Sequence, residues 1–459
     1  MLTYQDLVAL GEDSTKIMDF VKTAIDKHKS SKEYEEAKTA DLYNQKRNKT
    51  IEDYVKVLHD VTGAVIPDTI SANNKIKSNF FNEFVTQEVS YLLGNGVTFK
   101  DDGTEDKVGD DFDNVIMDIA ENALVHSVAF GFWNYDHVEG FSFLEFVPLW
   151  DEEDGGLKAG IRFWQIDPKK PLRATLYRLE GYTDYIWRDN EGEIVDGKEN
   201  KPYKEIIKST KVDGETIYDG ENYPTFPIVP LWADKKYKQS TFIGMREQID
   251  AYDLIKSGFA NDLDDVNQIY WILQNAGGMD DVDLKKFVER IRTVGAVVLD
   301  DGVTADNRTV DVPYESRQAM LAILRNDLYE FSMALDVKAI ASGAITATQI
   351  EASYEPLNEK TDKFELCVNK FIKGIMEIAG IDDTFTFTRS VIVNKTEEIQ
   401  TVLQAAAVLD PDYVTEKILT ILGDGDRVED MLKKLSELSL MMGAMGNGQG
   451  TQADGQDNI

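Results

Sequence analysis

One segment, residues 225–275, constrains the fold most. It begins with an apolar stretch bounded by Pro227 and Pro230, passes through a lysine-rich turn and continues into a long acidic stretch without proline. Apolar residues recur in that stretch at the spacing of one helix face, which predicts a long amphipathic helix. The helix carries no nucleophile–base pair, phosphate-binding loop or metal-ligand spacing, so it is typical of a structural element of an assembly.

The charge of the chain is strongly acidic. There are 49 Lys and Arg residues against 83 Asp and Glu residues in 459, a formal net charge of −34. A protein that grips nucleic acid neutralises phosphates with cations, so this charge argues against tight nucleic-acid binding. Two interpretations stay open: a charge that keeps an acidic protein dispersed, and a surface along which a polyanion slides without sticking.

No segment predicts membrane association. No apolar run approaches the roughly 18–20 residues that cross a bilayer, and the first residues lack the basic and apolar regions of a secretory signal. The four histidines show no metal-binding spacing, so we expect neither a metal nor a cofactor.

The periodicity predicts a mainly helical α+β chain. A spacing of three and four residues between apolar positions predicts helices over most of residues 1–60 and over 73–93, 110–135, 242–273, 283–293, 316–335, 349–380, 397–409 and 412–422. From residue 141 to about 195 the period changes to two, with turn-rich breaks, which predicts an antiparallel meander of hairpins. Further strands are expected at 206–220, 295–300 and 385–393, and the Gly- and Gln-rich residues 441–459 predict a disordered tail.

Clustered aspartates on the long helix raise one enzymatic hypothesis. Asp262 and Asp265 are neighbours on a helix, and a metal-dependent nuclease would use such carboxylates to hold its ions. Two-metal sites, however, need carboxylates that converge from several elements. A solvated acidic helix face is therefore favoured over the nuclease, and a monomeric acidic adaptor protein is the other alternative.

The segment 336–350 differs from its surroundings. It consists mostly of short side chains, has no acidic residue between Asp336 and Glu351, and carries one cation, Lys338. It is either a plain connector between helices or a mobile loop that faces something passing closely, and the residues alone leave both open.

The order of these elements resembles the portal proteins of tailed bacteriophages, in the family typical of long-tailed phages of Gram-positive hosts. Three segments, lying in order over about 70–380, carry the resemblance. The third is a helix, a small loop and a long helix across 316–380. The residues that match best in the first two are Asn79, Phe80, Tyr91, Leu92, Gly94 and Val97, then Ile249–Tyr252 and Ala260–Asp262.

The resemblance implies a non-enzymatic ring, usually of twelve subunits or else thirteen, at one vertex of the capsid, built in the host cytoplasm. It implies a portal fold with an antiparallel β wing, long stem helices, a small mixed α/β clip and a helical crown. The implied regions are the wing (1–240), first stem helix (241–268), clip (269–314), second stem helix (315–335), tunnel loop (336–350), long wing helix (351–380), crown (381–440) and tail (441–459).

The resemblance also implies residues and partners. Double-stranded DNA would pass through the ring without tight binding. The terminase large subunit would hydrolyse ATP, since this chain has no phosphate-binding loop, and head-completion, major capsid and scaffolding proteins would be further partners. The residues implied to face DNA are Lys338, Ser342, Thr346, Thr348 and Gln349 in the tunnel loop, and Asp250, Asp253, Lys256, Asp262, Asp265 and Arg325 on the stem helices.

Overall fold

The computed structural model consists of two compact units. The first comprises Met1–Ile345 and Ile350–Ser390, and the second comprises Thr346–Gln349 and Val391–Ile459. The structure describes residues 2–59, 63–68, 71–101, 103–188, 191–210, 216–265, 270–274, 280–294, 304–308, 314–341, 347–391, 395–406, 408–423, 428 and 431–434. The predicted strand at 295–300 and the predicted tail at 441–459 lie outside these residues.

Helices dominate the described residues, as the periodicity predicted. They are α1 (Tyr4–Val8), α2 (Ser14–Lys29), α3 (Lys32–Asn44), α4 (Lys49–Glu52), α5 (Phe80–Leu93), α6 (Glu105–Val108), α7 (Phe112–His126), α8 (Arg246–Asp265), α9 (Asp281–Val294), α10 (Tyr314–Ser332), α11 (Val337–Ala341), α12 (Ala347–Ala379), α13 (Lys395–Ala405) and α14 (Pro411–Leu422).

The described strands pair antiparallel throughout, so the α+β class is confirmed. They are β1 (Val57–His59), β2 (Val65–Pro67), β3 (Val97–Phe99), β4 (Val128–Asn134), β5 (His137–Ser142), β6 (Phe146–Trp150), β7 (Leu157–Trp164), β8 (Leu172–Arg178), β9 (Gly181–Arg188), β10 (Glu191–Ile194), β11 (Lys204–Thr210), β12 (Thr216–Glu221), β13 (Ile228–Trp232), β14 (Tyr270–Gln274), β15 (Thr304–Arg308) and β16 (Phe385–Phe387).

The predicted meander is confirmed. Strands β6 to β10 form one sheet in sequence order, and β11 pairs with β12. One face of the five-stranded sheet buries Val147, Leu149 and Ile161 with Phe20 and Val21 of α2. Helix α2 is capped at its start by Asp13, whose side chain accepts a hydrogen bond from the Lys16 backbone N–H.

The helix predicted over 110–135 is wrong in its second half. Helix α7 ends at His126, Ser127 takes a positive φ of 77°, and Val128–Asn134 is the central strand of the sheet β13–β4–β5. Nearly every side chain of β4 is buried. A strand buried on both faces shows no alternation, so its apolar run cannot be distinguished from a buried helix by periodicity.

The helix predicted over 242–273 is also too long. Helix α8 ends at Asp265, and Tyr270–Gln274 pairs as β14 with β15. The first four residues of this strand, YWIL, are apolar or aromatic, types that suit helix and strand cores alike. The predicted helix at 283–293 is confirmed as α9.

The largest core joins α5, α7, β4 and α12. Helix α12 contributes Phe364, Val368, Phe371 and Ile375, all at most 2% exposed. Phe371 lies so close to Gly131 of β4 that a Cβ there would be 2.4 Å from the ring. Glycine is therefore required at this position for the helix to approach the strand. In the described residues, no helix is long and apolar enough to span a membrane.

The second unit contains a helix pair. Helices α13 and α14 contact each other, as the periodicity predicted. Asp410 caps α14 by accepting a hydrogen bond from the Asp412 backbone N–H, Pro411 occupies its first turn, and Gly423 ends it with a φ of 91°. This is the arrangement of a proline at the start and a glycine after the end that helices favour.

Candidate functional site

The two helices assigned to the stem pack against each other. The Arg317 guanidinium of α10 forms an ion pair with the Asp262 carboxylate of α8, and the rings of Phe259 and Tyr314 lie 5.6 Å apart. Helices α8 and α10 therefore pack as a pair, and their assignment to the stem stays a prediction.

A polar stripe on α8 holds an extended segment of the chain, residues 74–78. Asp253 Oδ1 accepts the backbone N–H of residue 78 at 2.9 Å, Ser257 Oγ accepts that of residue 76 at 3.0 Å, and Asn261 Oδ1 accepts that of residue 74 at 2.5 Å. The three helix positions are four residues apart, and the three amides are two apart. We call this arrangement the α8 ladder.

The α8 ladder forms because the spacing of every fourth residue along a helix nearly matches the spacing of every second residue along an extended chain. Four helix residues advance about 6.0 Å and two extended residues advance about 6.6 Å, so each side chain meets the next available amide. The helix predicted from residue 73 consequently begins only at Phe80. The amides of residues 74, 76 and 78 bond to α8 instead, and residues 72–79 form no helix.

Asp253 is buried, and its assignment to a channel wall is corrected. It is 0% exposed, and it also accepts a hydrogen bond from Asn48 Nδ2 at 2.8 Å. Burial raises the pKa of its carboxyl, partly opposed by the bonds from Asn48 and Ser78. A carboxylate enclosed within the subunit cannot line an open channel.

Asp250 is engaged in the same region. It accepts hydrogen bonds from the Tyr43 hydroxyl at 2.5 Å and the Thr50 hydroxyl at 2.9 Å. Burial, together with the bond to Asp250, raises the pKa of Tyr43 to about 12. Asp250 therefore ties α8 to α3 and α4, and 17% of its side chain is exposed.

The remaining stem candidates on α8 differ in their surroundings. The Lys256 ammonium lies 5.5 Å from the centre of the Tyr252 ring, a cation–π contact. Asp262 pairs with Arg317, so a cation holds the carboxylate that the nuclease hypothesis would give to a metal ion. Asp265 is the last residue of α8, and its side chain lies outside the described part of the structure.

Arg325 of α10 binds the residue that opens the tunnel loop. Its two terminal nitrogens donate to the two carboxylate oxygens of Asp336 at 2.6 and 2.9 Å. The guanidinium also lies 4.5 Å from the Tyr329 ring. The bond from Arg325 holds the pKa of the Asp336 carboxyl below its usual range. A two-point pair of this kind fixes orientation as well as distance.

The first part of the predicted loop is helical. Residues 337–341 form α11, whose first amides, those of Lys338 and Ala339, donate to Asp336 Oδ1 at 3.1 and 3.3 Å. The Lys338 side chain is exposed, and Gln349 is exposed in the first turns of α12. Ser342 and Thr346 lie outside the described residues, as does the Thr348 side chain.

Two residues that the sequence interpretation missed hold α5 to this region. Gln87 Oε1 accepts the Leu335 backbone N–H at 2.7 Å, and Gln87 Nε2 donates to the Leu335 carbonyl at 3.0 Å. Glu83, one turn earlier, accepts from the Tyr329 hydroxyl at 2.7 Å. Glu83 and Gln87 are four residues apart and so lie on one face of α5, but that polar spacing does not reveal what the face contacts.

In the part of the chain that the structure describes, no group of three or more His, Cys, Asp or Glu side chains could hold an ion. The architecture around α8, α10 and α11 instead consists of ion pairs and hydrogen bonds between elements. Such contacts fix helices and loops relative to one another, as a structural protein requires.

Known phage portal proteins are similar in sequence to this chain. The family described as "Phage portal protein, SPP1 Gp6-like" matches residues 25–438. The portal protein of Clostridium phage phiCD119 is 25% identical over 372 residues, which cover 74% of this chain and 80% of that protein. The portal protein of Bacillus phage SPP1 is 24% identical over 388 residues, covering 77% and 74%.

Solved structures of gene transfer agent (GTA) particles are also similar. A chain from the virion of a native GTA particle has a TM-score of 0.43 at 10% identity, over 76% of this chain and 91% of that one. A chain from the neck of a native GTA particle computed with C12 symmetry has a TM-score of 0.41 at 10% identity, over 75% and 89%.

The family match extends over most of the chain, and together with the helix-rich, antiparallel fold it defines a structural protein of the phage particle. The chain belongs to the SPP1 Gp6-like family of phage portal proteins. It is a portal subunit and a component of the virion.

Proposed function

We propose that about twelve copies of this portal subunit, or thirteen, assemble into a closed ring at one vertex of the capsid. Double-stranded DNA would pass through the ring during packaging and ejection. The observation that carries the proposal is the family match over residues 25–438. In such a ring, one surface of each subunit contacts a different surface of the next. The ring closes when the rotation from one subunit to the next is a whole fraction of 360°.

The acidic charge supports passage of DNA without capture. With −34 on each subunit, a twelve-membered ring would carry about −400 before counterions. A mainly acidic wall forms few ion pairs with phosphates, so the duplex has few tight contacts to break as it advances. Salt screens the repulsion beyond roughly 8–10 Å, which confines it to DNA close to the wall.

The candidate DNA-facing residues lie in the tunnel loop and on α8 and α10. Lys338 is exposed on α11 and would supply a sparse ring of cations for transient contact. Asp253 is left out because it is fully buried, whereas Asp250, whose side chain is 17% exposed, remains a candidate. The other candidates proposed are Ser342, Thr346, Thr348 and Gln349 in the loop, and Lys256, Asp262, Asp265 and Arg325 on the helices.

We assign the docking of partners to other regions. The clip (269–314), where the antiparallel strand pair β14–β15 and the intervening helix α9 lie, would contact the terminase large subunit and later the head-completion protein. The wing (1–240) and crown (381–440) would contact the major capsid and scaffolding proteins. The family's structural role and the absence of a phosphate-binding loop in the sequence support a partner as the source of ATP hydrolysis.

The direct test is the position of this chain in the capsid. A phage that lacks the gene should form heads without DNA, and a tagged copy supplied in trans should restore filled heads. An asymmetric cryo-EM reconstruction of the restored heads should show the protein at one vertex. Protein at every vertex, or filled heads without it, would overturn the proposal.

The alternatives give different results in solution. A nuclease would cleave DNA with Mg²⁺ and lose that activity in the variants Asp262→Asn and Asp265→Asn, whereas a portal subunit should leave DNA intact. An adaptor would remain monomeric whether or not scaffolding protein is present.

A further inference from the structure

The beginning of the tunnel loop is fixed to two helices at adjacent residues. Leu335 exchanges two hydrogen bonds with the Gln87 side chain of α5, and the Asp336 carboxylate accepts two from the Arg325 guanidinium of α10. We call these four bonds the loop clamp. Each half has two bonds between the same two residues, so a rotation of Leu335 or Asp336 disturbs both bonds of its half.

The half formed by Gln87 imitates a β-sheet pair. A side-chain amide that accepts from a backbone N–H and donates to the carbonyl of the same residue reproduces the reciprocal bonds of two paired strand residues. It satisfies both backbone groups of Leu335, whose side chain is 4% exposed. Without the amide, two poorly hydrated groups would lose their partners.

The half formed by Arg325 is coupled to α11. Asp336 Oδ1 accepts from Arg325 Nη2 and from the first amides of α11, those of Lys338 and Ala339. One carboxylate therefore orients the short helix that carries Lys338 and binds it to α10. The ion pair and the helix cap share the same oxygen atom, so a rotation of Asp336 disturbs both.

Apolar contacts close the loop at its base. Leu335 lies in a small cluster with Tyr91, Tyr354 and Leu357, and Ile340 of α11 and Ile350 of α12 pack against that cluster. Both ends of the loop thus meet at one place, and the clamp determines how α11 leaves it.

We propose that Gln87 and Arg325 are positioning residues that hold α11, and with it Lys338, in a fixed orientation relative to the wing helix α5 and the stem helix α10. The inference rests on the proposed portal function, since only in a DNA channel does the orientation of Lys338 affect translocation. Movement of either helix would then be transmitted to the loop through the clamp.

Hydrogen–deuterium exchange on assembled rings tests the clamp without DNA. In Arg325→Gln and Gln87→Leu, amides of residues 337–341 should exchange about tenfold faster while the rest of the chain is unchanged. Asp336→Asn keeps a helix-capping oxygen but loses the charge for Arg325, so it should act like Arg325→Gln. The double variant Arg325→Gln with Asp336→Asn should exchange little faster than either single variant, because both substitutions remove the same ion pair.

Arg317→Gln is the matched control, since Arg317 is on the same helix and forms an ion pair with Asp262 instead. It should leave exchange at 337–341 unchanged. Unchanged exchange in Arg325→Gln and Gln87→Leu, or an equal increase throughout the chain, would overturn the clamp. Faster local exchange with a normal yield of filled heads would support the clamp and reject the DNA-facing role of the loop.

Discussion

The Lys360 ammonium of α12 lies 2.6 Å from the Glu88 carboxylate of α5, and Glu88 is 2% exposed. This buried ion pair crosses the contact between two helices whose neighbouring side chains belong to the largest core. Breaking one side of such a pair is costly because the remaining charge stays in a poorly solvated place. The pair therefore fixes which residues of α5 and α12 meet.

We expect Lys360→Met to lower the free energy of unfolding by about 3–5 kcal/mol, because it leaves the Glu88 carboxylate buried and unpaired. The double variant Glu88→Leu with Lys360→Met should recover much of that loss. Urea unfolding at one protein concentration measures both, and Lys363→Met, at an exposed position of the same helix, is the control. A single variant as stable as the control would contradict the role of the pair.

The α8 ladder makes a second prediction for stability. Asp253→Ala leaves the Asn48 amide and the Ser78 backbone N–H without their acceptor, so it should destabilise the subunit by about 2–4 kcal/mol. Asp264→Ala removes an exposed acceptor of the Asn74 side chain on the same helix and should cost less than about 1 kcal/mol. Chemical unfolding measures both variants. If Asp253→Ala and Asp264→Ala lose the same free energy of unfolding, the burial of Asp253 does not strengthen its contribution.

Asp253 should also make stability depend on pH. Its folded pKa is raised, chiefly by burial, whereas an unfolded aspartate titrates near a pKa of about 3.9. Between these two values the folded state holds more protons, so the contribution of Asp253 falls as pH rises through that window. The free energy of unfolding of the wild type, minus that of Asp253→Asn, should decrease from about pH 4 upward. An increase over the same range would show that the folded pKa is lowered.

Lys338 should be dispensable for assembly. Its side chain is exposed on α11, so Lys338→Ala should form rings of the wild-type mass while the yield of DNA-filled heads falls severalfold. Native mass spectrometry gives the first result, and nuclease-protected DNA per head gives the second. If Lys338→Ala prevents ring formation, the residue is structural and its proposed role is wrong.

The sequence predicted most helices and the meander because each of these elements buries one face and so leaves a clear period. Strand β4 was missed because it is buried on both faces and leaves none. The clamp and the α8 ladder were missed for another reason. Gln87 on α5 and the stripe of Asp253, Ser257 and Asn261 on α8 have the polar spacing of a solvated helix face, and only tertiary contacts show that backbone groups cover them.

The ring assembly is tested most directly by the mass and shape of the purified protein, with and without co-expressed scaffolding protein. Native mass spectrometry and negative-stain images of the same sample should show a closed ring of about twelve or thirteen subunits of 51.7 kDa with an axial hole. A chain that stays monomeric in both conditions, or a compact dimer that cleaves DNA with Mg²⁺, would contradict the proposed portal ring.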